Sequence, residues 1–460
     1  MEKNDQIRKM AETPVKELML KMGVPMIISM VLQAFYNIVD SAFVSNMKGT
    51  GEAALNALTL AFPVQIFMVA MSIGTGVGMN AMLARSLGNG QKERAAKTAG
   101  NAIFLGGAIY MICLLFGIFG AEAYISSQTS NKEIHTMAVS YLRICCILSP
   151  GIVFFSVFEK MLQATGLSLY STIAQISGAV TNIILDPLMI YGLLGIPEMG
   201  VRGAAYATVI GQMVSFALAF VFHMKLNKAV ENRLRYIRPS WKIIKGIYSI
   251  GLPAMIAQAL MSVMTYGLNM ILSDVSEAAV TAYGLFYKIQ QFIFFAAFGL
   301  RDAITPVTSF SYGMKSRQRV KESMRYGMLF TLIIMAAGTL VLEIFTSPIS
   351  GAFGLSEETT KVFSGAVRII SLSFIFAGMN IAYQGIFQAL ESGGASLVVS
   401  VLRQFLFVLP SAWGFAKIVN GDTEKAWIVW LTFPIAEILS AAVSVLFMKN
   451  IRRTKLEDCK

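Results

Sequence analysis

The chain has 460 residues, of which 55% are hydrophobic and only 14% charged, whereas soluble domains carry about 25% charged residues. Its mean hydropathy is +0.63. This composition excludes a set of soluble globular domains, a disordered chain and, with only four Cys, a disulfide framework. It predicts an all-α integral membrane protein, because a helical span needs about 20 apolar residues.

Apolar runs of helical length predict twelve membrane spans. In chain order they cover residues 18–45, 54–80, 98–120, 136–160, 168–191, 203–224, 247–272, 279–309, 324–346, 364–389, 395–416 and 426–448. Turn residues separate them, as in GNGQ at 88–91, SQTSN at 127–131 and NGD at 420–422. The polar amino terminus lacks the features of a signal peptide, so we expect it to stay uncleaved.

The net charge of +12 is concentrated in alternate loops. Lys and Arg cluster at 3–16, 85–97, 225–245, 315–325 and 449–455, and the loops on the other side are poor in basic residues. This positive-inside pattern predicts that both termini are cytoplasmic. It also explains the basic balance without a nucleic-acid partner.

The two halves of the chain resemble each other. GEAALNAL at 51–58 matches SEAAVTAY at 276–283, an offset of 225, and the same offset pairs Gly74 with Gly299. Order and orientation are kept, which predicts two six-helix bundles related by pseudo-two-fold symmetry. The predicted segments are a cytoplasmic start at 1–17, a first bundle at 18–224, a basic linker at 225–246, a second bundle at 247–448 and a tail at 449–460.

Two spans carry a polar stripe on an otherwise apolar helix. In the first span the stripe contains Ser29, Gln33, Tyr36, Asn37 and Asp40 at helical spacing. Ionisable residues inside a membrane are costly and usually functional. The alternative is that the carboxylate of Asp40 only forms hydrogen bonds with a helix end or with a neighbouring helix.

The second stripe lies in the fifth span. It contains Gln175, Gly178, Asn182 and Asp186, again on one helical face. The match of GVP at 23–25 with GLP at 251–253, an offset of 228, places Leu268 opposite Asp40. The match of LDP at 185–187 with LP at 409–410 places Leu409 opposite Asp186. The carboxylates therefore occur only in the first half. We therefore predict one asymmetric ionisable site, located in the first bundle.

Other ionisable residues within spans have weaker indications. Arg403 and Glu437 are predicted to form an interhelical ion pair, and Arg301 and Asp302 to satisfy each other or sit near the cytoplasmic end. The role of Lys288 is left open. The sequence contains no nucleotide-binding or hydrolase motif and no His or Cys spacing for a metal, so we expect neither an enzyme nor a cofactor.

Several motifs together resemble the multidrug and toxic compound extrusion (MATE) family. They are YNIVDSAFVS in the first span, NIILDP in the fifth, and a longer motif that begins within the second span and continues past its end, FPVQIFMVAMSIGTGVGMNAMLARSLGNGQ. The NIILDP motif is similar to the branch that has an Asp in the fifth span, and the resemblance covers nearly the whole chain. It implies a cation site, for Na⁺ or H⁺, at Asp40, Asn182, Asp186 and Thr208. It also implies substrate contacts at Gln33 and Tyr36, to which their stripe neighbours Asn37 and Gln175 are added.

The resemblance implies an antiporter of the prokaryotic inner membrane, and we expect it to be a monomer. It would export amphipathic, often cationic small molecules by alternating access and use an inward flow of Na⁺ or H⁺. The neutral oxygens of Asn182 and Thr208 favour Na⁺, with H⁺ competing for the same groups. The seventh and tenth spans contain no carboxylate, so no second-bundle cation site is expected. The alternative is a flippase for lipid-linked precursors, which would need a cationic cleft.

Overall fold

The computed structural model describes residues 5–47, 49–352, 356–420, 422–457 and 459, and this part of the chain is helical without a β-strand. The helices of the first half are α1 (Asp5–Glu12), α2 (Val15–Ser45), α3 (Gly51–Gly88), α4 (Lys92–Leu115), α5 (Ala121–Ser126), α6 (Lys132–Ile147), α7 (Pro150–Ala164), α8 (Ser168–Ile190) and α9 (Val201–Leu226). Those of the second half are α10 (Trp241–Ser273), α11 (Glu277–Gly313), α12 (Arg317–Ala352), α13 (Glu357–Ser371), α14 (Phe374–Ala389), α15 (Gly393–Val401), α16 (Val408–Val419), α17 (Trp427–Trp430) and α18 (Thr432–Lys455). Two π-helical segments, Phe116–Gly120 and Leu402–Leu406, join α4 to α5 and α15 to α16.

Length and hydropathy identify nine helical spans in the described residues, or eleven if each of two bent helix pairs counts as one span. The eighth predicted span corresponds to α11, whose 37 residues include Lys288, Arg301 and Asp302. These charges lower its apolar content, although its length is ample for a membrane. With α11 included, each predicted span has a helix or a bent pair.

The fourth and tenth predicted spans are bent rather than continuous. The helix axes turn by 44° between α6 and α7 and by 50° between α13 and α14. Pro150 begins α7, because proline lacks the N–H that would continue α6 and disfavours helix at the residue before it. At the second break the Ser373 hydroxyl donates to the carbonyl of Ile370 at 2.6 Å, which competes with the helical bond.

Turn and cap residues lie where the sequence predicted loops. Gly90, just after α3, has φ +71°, and Asn131 accepts the backbone N–H of Glu133 at 2.9 Å at the start of α6. Asn420 ends α16 in the left-handed conformation with φ 48°. The next residue of that predicted turn, Gly421, lies outside the described residues.

The internal repeat is visible in the helix boundaries. Gly88 and Gly313 end α3 and α11, and Lys92 and Arg317 begin α4 and α12. Both pairs keep the offset of 225 residues. The two halves therefore repeat local structure as well as sequence.

Packing divides the chain into two compact units. Unit 1 contains Met1–Thr13 and Ile28–Met255, and unit 2 contains Pro14–Ile27 and Ile256–Lys460. Consequently α2 and α10 are each divided between the units. The bundle limits expected from the order of the spans stay a prediction.

Within each unit, glycine permits a close crossing with the segment that comes from the other half. In unit 1 a Cβ at Gly74 of α3 would lie 2.7 Å from the carbonyl oxygen of Gly251 in α10. In unit 2 a Cβ at Gly299 of α11 would lie 2.7 Å from the carbonyl oxygen of Met26 in α2. Small residues let helix backbones approach closely in membranes. The repeat-related pair Gly74 and Gly299 thus has the same packing function in both units.

Candidate functional site

The crossing of α8 and α9 positions one wall of the predicted site. A Cβ at Gly178 would lie 1.9 Å from the Ser215 hydroxyl oxygen and 2.4 Å from the carbonyl oxygen of Gly211. A Cβ at Gly211 would lie 3.0 Å from the Cβ of Asn182. This contact holds Asn182 directly against α9, where Thr208 precedes Gly211 by one helical turn.

Asp40 of α2 and Asp186 of α8 come together, as the two stripes predicted. Their carboxyl groups lie close enough to interact electrostatically. Asp186 is 0% exposed, and its Oδ1 accepts a hydrogen bond of 3.3 Å from Nδ2 of Asn182. The three side chains therefore form one contiguous polar group inside unit 1.

Three oxygens of this group have no hydrogen-bond partner among the described residues. They are Oδ1 of Asp40, Oδ1 of Asn182 and Oδ2 of Asp186, and all three are buried. Buried polar atoms are nearly always paired, because leaving one unpaired costs about 1–3 kcal/mol. Two adjacent carboxylates also repel each other when both are ionised, and a proton or a metal cation between them removes that repulsion. The arrangement suits a proton or a hard cation that prefers oxygen ligands.

The predicted substrate residues form a second polar group on the same helices. Gln175 donates from Nε2 to Oε1 of Gln33 at 2.9 Å, and the Ser29 hydroxyl donates to Oε1 of Gln175. Along α2, Tyr36 lies between Gln33 and Asp40. It interacts electrostatically with both carboxylates, Asp40 and Asp186. The side chain of Asn37 lies outside the described residues.

The second polar group and Asn182 of the first border one small cavity, whose lining does not include Asp40 or Asp186. It has a volume of about 70 Å³, and its walls include Gln33, Tyr36, Gln175, Asn182 and Thr208. A water molecule occupies about 30 Å³ of liquid, whereas pockets for drug-sized ligands measure about 300–1,000 Å³. This cavity has the size for an ion with its waters rather than for a drug.

A group of residues from α3 and α6 lies near Asp40, and sequence reasoning did not predict it. Gln65 donates from Nε2 to the Tyr141 hydroxyl at 3.3 Å and to Sγ of Cys145 at 3.6 Å. Tyr141 and Cys145 interact electrostatically with Asp40. Tyr141 lies in an apolar run without an ionisable neighbour on its face, so no sequence signal marked it. The repeat offset of 225 residues pairs Gln65 with Gln290, which is a signal for Gln65 alone.

The equivalent positions of unit 2 are apolar. Leu268 is 1% exposed, and a Cβ at its neighbour Gly267 would lie 2.8 Å from Cδ2 of Leu409. Apolar packing thus occupies the place where unit 1 has its carboxylates.

Two pairs of charged side chains lie within the spans of unit 2. Nε of Arg403 lies 2.6 Å from Oε1 of Glu437, which confirms the predicted ion pair. Glu437 also accepts a hydrogen bond of 2.8 Å from Nδ2 of Asn380. Arg301 pairs with Asp302 at 2.9 Å, as one of the two sequence-based alternatives predicted.

Comparison with known proteins identifies the family. The sequence model of the MatE family matches residues 25–188 and 253–413, which is more than half of the chain. The multidrug export protein MepA of Staphylococcus saprophyticus is 24% identical over 452 residues, covering 98% of this chain and 97% of the relative. MepA of Staphylococcus aureus is 23% identical over 457 residues, with coverage of 98% and 97%.

Solved structures show the same fold. A multidrug resistance MATE family transporter of the MOP superfamily, in an outward-facing conformation, matches with a TM-score of 0.89 at 24% identity, covering 97% of this chain and 98% of that one. The match confirms the predicted all-α fold of twelve membrane helices in two six-helix bundles. The chain belongs to the MatE family and is a MATE transporter rather than an enzyme.

Proposed function

We propose that this transporter exports amphipathic, often cationic small molecules in exchange for Na⁺ or H⁺ bound in unit 1. The observation that carries the proposal is the group of three buried, unpartnered oxygens on Asp40, Asn182 and Asp186. A coupling ion placed among them would satisfy all three. The names of the relatives as multidrug export proteins support the substrate class.

Na⁺ and H⁺ would be alternative ligands of the same group. Na⁺ takes only oxygen ligands, and the amide oxygen of Asn182 and the hydroxyl of Thr208 add neutral oxygens beside two carboxylates. A proton needs only one carboxylate oxygen. Because Na⁺ binds the ionised carboxylates, we expect Na⁺ to prevail at high pH and H⁺ at low pH.

Shared helices provide a route from ion binding to substrate binding. Gln33 precedes Asp40 on α2 by seven residues, about 10 Å along the axis. Gln175 and Asp186 also lie on one helix, α8. A shift of α2 against α8 on ion binding would change the Gln33–Gln175 contact as well as the Asp40–Asp186 contact. Alternating access would use such a shift to exchange ion and substrate.

The chain is a multi-pass membrane protein, and we place it in a prokaryotic inner membrane with both termini cytoplasmic. The positive-inside distribution of Lys and Arg supports this orientation. We propose that one copy of the chain is sufficient for transport, because both polar groups lie within a single unit.

Efflux from proteoliposomes tests the proposal. An amphipathic cationic dye would be released faster under an imposed Na⁺ or pH gradient than without one. Asn182→Leu and Thr208→Val would weaken Na⁺-driven release and retain more of the pH-driven release. A rate of dye release that is the same with and without each gradient would contradict cation coupling. Transport of lipid-linked pyrophosphates instead of dye would identify a flippase.

A further inference from the structure

We infer that unit 2 carries a binding site for an anionic phospholipid between α12, α14 and α18. A cavity of about 570 Å³ lies there, and four basic side chains line it: Arg317, Lys321 and Arg325 of α12 and Arg452 of α18. The site is separate from the proposed cation site, which lies in unit 1. Either proposal can therefore fail without the other.

In the part of the chain that the structure describes, the four basic residues have no ion-pair partner. Arg317, Lys321 and Arg325 recur every four residues, so they lie on one face of α12. Like charges at this spacing destabilise a helix, yet none of the four basic residues forms an ion pair within the described part of the chain. Glu322, the acidic residue nearby, accepts instead from Nε2 of Gln318 at 2.9 Å. The cavity therefore has an uncompensated positive charge that fits an anion.

The deeper walls of the cavity are apolar. Met324, Met328, Leu332 and Ile386 line it beside the basic side chains. Leu329, also in the lining, is 44% exposed, so the apolar wall continues onto the outer surface of the unit. A small inorganic anion would use only the basic end, whereas a phospholipid also has an acyl chain for the apolar part.

The position along the helices fits a lipid headgroup. The basic residues occupy the first turns of α12 and the last turns of α18, and both helices are long and apolar enough to cross a membrane. The positive-inside pattern places this edge at the cytoplasmic surface, where anionic headgroups occur. Basic pockets between membrane helices on this side are a known form of anionic lipid site. Its volume of about 570 Å³ lies within the range of about 300–1,000 Å³ for ligand pockets.

Binding of labelled phosphatidylglycerol to the purified full-length protein in neutral detergent tests the inference. Phosphatidylcholine and inorganic phosphate serve as competitors. The test variant combines Arg317→Gln, Arg325→Gln and Arg452→Gln. The control combines Lys225→Gln, Lys228→Gln and Lys242→Gln, three exposed residues outside this cavity that lose the same total charge.

We expect saturable binding of phosphatidylglycerol that the test variant weakens by at least about tenfold, since each basic residue near a lipid surface is worth roughly fivefold. The control variant would bind like the wild type. Equal competition by phosphatidylcholine, or an equal loss in the control, would overturn the inference. Competition by inorganic phosphate at the concentration of the lipid would also overturn it and assign the cavity to a free anion.

Discussion

Replacing Asp186 by Asn changes the ion site while keeping its shape. The carboxylate is fully buried, accepts one hydrogen bond from Asn182 at 3.3 Å and has an unpartnered Oδ2. Asn keeps the size and can keep the bond from Asn182. It removes the negative charge and puts an amide donor in place of one oxygen ligand.

The size of the effect follows from that single lost contact. An interaction with a charged group contributes about 1.5–3 kcal/mol, which corresponds to a roughly 10- to 150-fold weaker affinity for Na⁺. The fold should persist, because no cavity is created and no buried charge is left unpaired. Ion-driven efflux should fall by at least as much as Na⁺ binding at low Na⁺ concentration.

Equilibrium binding of radioactive Na⁺ to the purified protein measures this directly. Because Na⁺ requires ionised carboxylates, wild-type binding should strengthen as the pH rises. Asp274→Asn is the matched control, since it removes a carboxylate from an exposed position after α10. Wild-type affinity in Asp186→Asn, or an equal loss in the control, would refute the assignment of the ion site.

Three further predictions concern packing and topology. Gly178→Val forces α8 away from α9 and should destabilise the protein by about 1–3 kcal/mol, as measured by thermal unfolding. Gly107→Val is the control and should be tolerated, because a Cβ at Gly107 would have nothing within 4 Å. Arg403→Gln removes the counter-charge of the buried Glu437 carboxylate, which keeps its hydrogen bond from Asn380, and should cost about 3–5 kcal/mol; an unchanged melting temperature would argue against a structural ion pair. A Cys introduced at Asn131 should label from outside and one at Asn232 only from inside, against a low background because the four native Cys residues are buried. Reversed labelling would overturn the orientation.

Much of the fold could be predicted from hydropathy because the membrane imposes long apolar runs. The predicted spans are shorter than the helices where a helix continues into polar sequence. The structure extends α3 to Gly88, whereas the predicted span ends at 80, and it begins α12 at Arg317, whereas the predicted span begins at 324. Hydropathy reports only the part of a helix in hydrocarbon. The bend before Pro150 had a visible cause, whereas the break near Ser373 depends on local hydroxyl bonds that no pattern predicts.

The site was predictable in part, because a carboxylate on an apolar helix face is conspicuous. The spacing of Asp40 and Asp186 within their stripes predicted that both point to one place. Thr208 was assigned only through the family resemblance, and the structure places it beside Asn182 on the cavity wall. Tyr141 lies near Asp40 because of the packing of α6 against other helices, which depends on long-range contacts that one sequence does not reveal.

Substrate-driven cation uptake tests the central claim most directly. Proteoliposomes loaded with an amphipathic cation and placed in medium without an imposed ion gradient should take up radioactive Na⁺, or protons reported by a pH dye, as the substrate leaves. Asp40→Asn should abolish this uptake, because the site would lose one of its two charged ligands. Substrate efflux by the wild type without any Na⁺ or H⁺ uptake, across the pH range, would contradict the account.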